Sequence, residues 1–261
     1  MQTTTLPNGL CITEINSYET QFLYDEIFVQ NVYGSYGIQI TPDDVVFDIG
    51  ANIGLFALYM AERFNPARII CFEPAPHCIE AIRENLASLG DRVLVLPTAL
   101  GASVGETEFT YYPKYTLMSS MFADEKRDLD VLKAGAKTEF ERQQGKIPED
   151  RIVDMLVGTK LEDAQTFRCP ITTISKVMEE YRVDRLALAK IDVECAENVV
   201  LAGIEDADWP RIDQLVIEVH DQGAREHETM RDMLRGRGYA VSLFAEPGLK
   251  NSGIYVVVAR K

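Results

Sequence analysis

The sequence predicts an α/β protein built on a mostly parallel sheet with helices on both faces. Three observations carry that prediction. From Val45 onward, short apolar runs alternate with amphipathic helical patterns. The runs are continuously apolar, as strands buried on both faces must be. The last two runs, Tyr239 to Phe244 and Ile254 to Ala259, instead alternate like a terminal hairpin.

Taken in order, Asn8-Gly9 is a turn signal that can join two short strands. Tyr18 to Thr41 is rich in aromatics (Phe22, Tyr24, Phe28, Tyr33, Tyr36) that either plug the sheet or cover a ligand as a lid. Val45 to Ile49 reads as a strand, Ile53 to Phe64 as a helix and Arg68 to Phe72 as a second strand. Pro76 opens a helix that runs to about Leu89, where Gly90 and Asp91 stop it. Val93 to Leu96 is a third strand and Glu106 to Tyr112 an extra one. The stretch 115–165 breaks the rhythm, with charges crowded from Asp124 to Asp130 and two helices expected to break near Gly135 and Gly145. It reads as an insertion capping an acceptor site, or as a solvated excursion. Thr172 is the expected N-cap of a helix through Tyr181. Leu186 to Asp192 is a buried strand, Ala196 to Ile204 a helix, Gln214 to His220 a strand and Glu226 to Arg237 a helix. Pro247-Gly248 and Asn251-Ser252-Gly253 supply the closing turns. The organisation expected is a cap or lid over 1–44 and a core over 45–261 that carries the 115–165 insertion.

The chain has 261 residues, 46% hydrophobic and 26% charged, enough for a substantial core. Its 26 basic and 41 acidic residues give a net charge of −15, a field that repels phosphate backbones and anionic lipid. Nucleic-acid and membrane-surface partners are therefore not expected. The five cysteines are odd in number and contain no C-x-x-C pair, so neither a disulfide framework nor a zinc knuckle is indicated. The amino terminus lacks the basic start and apolar stretch of a signal peptide, and no run approaches the roughly 20 apolar residues that span a bilayer. A reducing cytoplasm is the expected setting.

The segment Val45-Val46-Phe47-Asp48-Ile49-Gly50-Ala51-Asn52-Ile53-Gly54 points to a ligand. An apolar strand ends in an acid, turns through glycines and opens into a helix. Glu73, 25 residues after Asp48, closes the second strand, where an acid can accept hydrogen bonds from both hydroxyls of a ribose. A dinucleotide fingerprint started at Gly50 would need glycine where Asn52 and Leu55 stand, which disfavours a nicotinamide oxidoreductase. A triphosphate loop would need a Gly-Lys-Ser/Thr ending that is missing. A ribose ligand without a phosphate to cradle fits better, and S-adenosylmethionine is the commonest.

A second constellation lies at the later strand ends. Side chains alternate along a strand, so Lys190, Asp192 and Glu194 would share one face, and Glu218 and His220 another. Ligands of open α/β sheets bind beyond the carboxyl ends of strands. Five carboxylates (Asp48, Glu73, Asp192, Glu194, Glu218) and the His220 imidazole gathered there are costly unless they serve a ligand, a metal or proton transfer. His220 is the expected base, Glu197 could orient it or cap a helix, and His77 and His227 read as surface residues. No fixed ligand spacing marks a metal site, although Asp192, Glu194 and Glu218 could hold a divalent cation.

Four segments together resemble the FkbM family of S-adenosylmethionine-dependent methyltransferases: Asp48-Ile49-Gly50-Ala51-Asn52-Ile53-Gly54, Phe72-Glu73-Pro74, Lys190-Ile191-Asp192-Val193-Glu194 with Ala196-Glu197, and Ile217-Glu218-Val219-His220. The resemblance implies a Rossmann-like sheet of seven strands with an antiparallel carboxyl-terminal hairpin. It implies that Asp48, Gly50, Ala51, Asn52 and Gly54 line the methionine and ribose side, that Glu73 and Pro74 hold the ribose, and that Ala99 and Leu100 lie near the adenine. It further implies O-methylation of a natural-product or sugar hydroxyl, on a small molecule or a carrier-tethered intermediate of a synthase module, with His220, Glu194, Asp192 and Glu218 as the chemical residues. N- or C-methylation and a silent cofactor-binding scaffold are the alternatives. One departure stands out: family members usually carry glycine where this chain has Cys195.

Overall fold

Four apolar segments set the centre of the molecule: β3 (Val45–Ile49), β4 (Arg68–Phe72), β9 (Leu188–Ile191) and β10 (Gln214–His220). The computed structural model describes residues 1–221, 223–245 and 253–261, with the backbone alone at 139, 142 and 143. These four strands run parallel and are almost wholly buried. Parallel pairing buries both faces, which is why the runs are apolar without alternation. β5 (Val93–Leu96) continues the sheet on one side. On the other side β12 (Ile254–Arg260) pairs antiparallel with β10, and β11 (Ala240–Ala245) pairs antiparallel with β12. The order is β11-β12-β10-β9-β3-β4-β5, so the expected seven strands and terminal hairpin are present, with β12 inserted between β10 and β11. The expected turns at Pro247-Gly248 and Asn251-Ser252 lie outside the described residues.

Alternation along each strand sorts the core into two layers. Val46, Ile69, Cys71, Leu188 and Val216 face α3 (Leu55–Arg63) and α4 (Pro76–Asn85). Phe47, Ile70, Phe72, Ile191 and Ile217 face α7 (Ile174–Glu180), α8 (Glu197–Ala202) and α9 (Glu226–Gly236). At the amino end, β1 (Gln2–Thr5) and β2 (Cys11–Glu14) form the hairpin that Asn8-Gly9 signalled. The following α1 (Ser17–Tyr24) and α2 (Val32–Ser35) deliver Tyr24, Tyr33 and Tyr36 into the first layer, so most of the aromatics plug the sheet.

A second, three-stranded sheet joins β6 (Ala99–Leu100), β8 (Gln165–Thr172) and β7 (Gly105–Tyr111). The long strand β8 falls where the sequence suggested the end of an insertion, because its alternating polar residues pair with β7 rather than enter a core. It also moves the helix cap by one residue: Thr173, not Thr172, accepts the Lys176 amide. Between these strands lie α5 (Glu125–Gln144) and α6 (Asp150–Val157). Gly145 ends α5 in the left-handed region, but Gly135 does not break it. An interior glycine costs a helix only about 1 kcal/mol, which packing readily outweighs. Met118, Leu132, Val157 and Leu161 of this stretch pack with Tyr112 into a small core of their own. Among the described residues no helix is long and apolar enough to cross a membrane.

Candidate active site

The turn after β3 is built to bring backbone close to a ligand. Gly50 has φ +79, and a β-carbon there would lie 1.8 Å from the Asp192 carbonyl oxygen, so no larger residue fits. Gly50 and Ala51 both donate to the Phe72 carbonyl, which ties the turn to β4. Asn52 follows at φ +48, and its amide donates to Glu73 at 3.0 Å. The other Glu73 oxygen accepts the Ala75 amide at 2.9 Å. Each oxygen retains a lone pair, and Glu73 lines a cavity together with Gly50, Ala51, Asn52, Pro74 and Ala99. Leu100 is on the same wall. Burial pushes the Glu73 carboxyl up to about 7 despite the two amide donors.

Asp48 and Gly54 stand behind that wall rather than on it. Gly54 begins α3 at φ +86 and packs against Leu86. Asp48 is fully buried, and neither of its oxygens accepts a hydrogen bond. The Lys190 ammonium lies 3.6 Å away, near enough to attract but too far to bond. Lys190 is held instead by the Gly50 carbonyl at 2.8 Å and by Asp192 at 3.1 Å. Burial raises the Asp48 carboxyl to about 6, with Lys190 opposing the shift. Lys190 thus pins the glycine turn onto β9, a role its place in an apolar strand did not reveal.

After Ile191 the chain leaves the sheet, so Asp192 and Glu194 do not share a face. Asp192 turns back to Lys190, while Glu194 and Cys195 are successive left-handed residues at φ +51 and +74. A glycine-favouring backbone at Cys195 is the physical reason a glycine suits this position. The turn carries Glu194 to His220, whose Nε2 lies 2.9 Å from Glu194 and 3.6 Å from Glu218. Its Nδ1 lies 3.1 Å from Glu197, which also caps the Cys195 amide at 2.9 Å. Glu197 therefore orients the imidazole, one of the two roles weighed from its position; α8, with Ala196 at its N-cap, has no side-chain cap. Burial opposes a charge on His220, but Glu194 and Glu197 outweigh it and hold the imidazole well above its usual range. Burial raises the Glu194 carboxyl too.

Glu194, Glu218 and His220 can bring ligand atoms within 4.8 Å of one another, a different trio from the Asp192–Glu194–Glu218 set expected. With Nδ1 facing Glu197 and Nε2 facing Glu194, carboxylate and imidazole are placed to pass a proton between them. His77 is exposed as expected. His227 is not: its side chain is 12% exposed, stacked on Tyr255 with centroids 3.8 Å apart and bonded to Asp221. The nearby strand end, not its own helix, decides that burial.

Two parts of the site were invisible in the sequence. Glu19 of α1 is buried and accepts from both the amide (2.9 Å) and the hydroxyl (2.6 Å) of Thr116, and that hydroxyl accepts from the Asn52 side chain at 2.8 Å. Lys160 sits between the rings of Tyr18 and Tyr115, 4.4 and 4.0 Å from their centroids, at the cavity edge. Both contacts join segments far apart in the chain and carry no local signal.

The side-chain-free Gly50 turn and the spare lone pairs of Glu73 fit a ribose-bearing ligand. Sequence comparison with known proteins places the chain in a family. The model of the Methyltransferase FkbM domain matches residues 48–241. The chain is 37% identical to the 31-O-demethyl-FK506 methyltransferase FkbM of Streptomyces tacrolimicus, over 100% of this chain and 97% of that protein. It is 36% identical to the AMB antimetabolite synthetase AmbE of Pseudomonas aeruginosa over 96% of this chain, which is 12% of that much longer protein. Among solved structures it is similar to M. capricolum TrmK in complex with S-adenosyl-homocysteine, with a TM-score of 0.39 and 10% identity over 85% of this chain and 64% of that one. The chain belongs to the FkbM family of S-adenosylmethionine-dependent methyltransferases.

Proposed function

We propose that this methyltransferase acts on a hydroxyl oxygen of a natural product, a polyketide or peptide intermediate free or carrier-tethered, or a sugar. The observation that carries the reading is His220, buried at the cavity wall among the three carboxylates of Glu194, Glu197 and Glu218. The relative from Streptomyces tacrolimicus, whose printed name specifies an O-demethyl compound, supports oxygen as the methylated atom. The match within a long synthetase supports acceptors handled by synthase modules. A net charge of −15 favours small or tethered acceptors over nucleic acid, and five free cysteines suit a reducing cytoplasm.

When bound, S-adenosylmethionine supplies a methyl carbon already activated by its sulfonium. Gly50, Ala51 and Asn52 would hold it by backbone, Glu73 and Pro74 at the ribose, and Ala99 and Leu100 at the adenine. What remains is alignment and proton removal. The acceptor's hydroxyl proton passes to the Glu194–His220 pair, whose carboxylate and imidazole share it. Glu197 holds the ring in place from Nδ1, and Glu218 adds negative charge 3.6 Å from Nε2. Asp192 contributes by fixing Lys190 under the glycine turn.

His220→Ala should lower turnover by roughly 10²–10⁴-fold. Affinity for S-adenosylhomocysteine should stay nearly unchanged in the same variant. The assay is mass spectrometry of an acceptor panel incubated with isotope-labelled cofactor, with the labelled atom located in each product. Undiminished turnover in the variant, or label found on nitrogen or carbon, would overturn the reading.

A further inference from the structure

A second cavity of about 320 Å³ adjoins the first behind the His220 cluster. The two share Met118, Val131, Glu194, His220 and Ile254 as a common wall. The first cavity alone is lined by the glycine turn, Glu73 and Ala99; the second alone is lined by Asp124, Arg127, Asp128, Cys195 and Asp221. The two cavities therefore meet at Glu194 and His220, and only the first has the features of a nucleoside site.

Displacement at a saturated carbon requires attacking and leaving atoms on opposite sides, with orbitals aligned. A donor held along Gly50 to Asn52 and Glu73 therefore needs an acceptor that enters from another direction with nothing between its oxygen and the methyl carbon. The second cavity reaches the Glu194–His220 pair from the side that lacks the nucleoside features. We infer that the second cavity is the acceptor site, and that it takes a neutral or cationic hydroxyl compound whose reacting oxygen lies at the Glu194–His220 wall. This rests on the hydroxyl methylation proposed above.

The charge pattern sets the acceptor class. Asp124, Asp128 and Asp221 face the cavity against the single guanidinium of Arg127. Arg127 is already committed to Asp128 at 2.7 Å and to the Phe122 carbonyl at 2.7 Å. A carboxylate or phosphate on the acceptor would meet an excess of negative charge. Met118, Val131 and Ile254 supply apolar surface for a carbon skeleton. Cys195 stands on this wall at φ +74, so its thiol narrows the acceptor compartment and leaves the cofactor compartment untouched.

The thiol also provides the test. In a Cys11→Ser background, Cys195 is the one remaining cysteine that is not buried. Treatment with ω-hydroxyalkyl methanethiosulfonates of increasing spacer length forms a disulfide at Cys195 and releases methanesulfinate. Matched ω-aminoalkyl reagents serve as the comparison. With S-adenosylmethionine present, a hydroxyl tether of fitting length should gain one methyl, read by intact mass and peptide mapping. The same tether should gain none after His220→Ala. S-adenosylhomocysteine should bind the tethered protein within about threefold of the untethered, a difference well under 1.4 kcal/mol. An affinity loss of tenfold or more would place Cys195 in the cofactor compartment and overturn the assignment. So would the absence of methylation on every hydroxyl and every amine tether. Methylated amines beside unmodified hydroxyls would uphold the cavity and overturn the hydroxyl reading.

Discussion

At the scale of single residues, His220 is governed by what touches its two nitrogens. Glu194 and Glu197 both favour the imidazolium, so the ring gives up its proton at higher pH than an ordinary histidine. Rate should therefore rise with pH through an acid limb whose midpoint lies above 6.5, the ordinary histidine value. Glu197→Gln keeps an oxygen to cap the Cys195 amide but removes one charge that favours the imidazolium. Its acid limb should move to lower pH, measured as turnover against pH. An unshifted limb would mean that His220 does not titrate in the rate. The candidates His220, Glu194, Glu218 and Glu73 were legible because an ionisable residue ending an apolar strand has no structural excuse. Lys190 was harder to read, because it bonds the Gly50 carbonyl rather than a ligand, and only the fold brings β3 and β9 together.

At the scale of elements, the cofactor turn is tied to two segments outside the central sheet. Glu19 of α1, Thr116 before α5 and Asn52 after β3 form one hydrogen-bonded line ending at Glu73. Asn52 sits at φ +48, a conformation held only by its surroundings, so this line fixes the turn's shape. Thr116→Val keeps the side-chain volume and the amide donated to Glu19, but cuts the link to Asn52. Loss of a buried hydrogen bond costs about 1–3 kcal/mol, so S-adenosylhomocysteine affinity should fall by roughly tenfold or more. Thr116→Ser, which restores the hydroxyl, should recover most of it. Calorimetric titration of the three proteins decides the matter; equal affinities would leave the line a purely structural contact. Elements themselves were readable where periodicity was strong, as in β3, β10 and α9, and unreadable where pairing was remote. β8 is the example, since its polar alternation acquires meaning only from β7. The same limit hid the unbroken α5, whose Gly135 faces the cavity.

For the whole molecule, the buried ionisable groups act together on stability. Burial raises Glu19 and Glu73 to about 7 and Asp48 to about 6, and the carboxylates around His220 raise that imidazole. Each of these groups binds its proton more tightly folded than unfolded. Their contribution is full below the unfolded values, near 4 for the acids and 6.5 for histidine, and is lost as pH climbs through the folded values. Asp221, lowered to about 2, has the opposite sign, but its window closes below about pH 4. Between pH 5 and 8 the named groups therefore act in one direction, and the ligand-free chain should become less stable as pH rises. One pKa unit corresponds to about 1.4 kcal/mol, and for a chain of this size each kcal/mol moves the thermal midpoint by about 2–4 °C. A decline of several degrees from pH 5 to 8 is expected by calorimetry. Glu73→Gln removes one of the titrating acids while keeping an oxygen for the Asn52 or Ala75 amide, so its decline should be shallower. A Glu73→Gln curve parallel to that of the parent chain would show that Glu73 is ionised at no cost in the ligand-free fold. The cofactor site would then owe nothing to a buried carboxylate kept in reserve for the ribose.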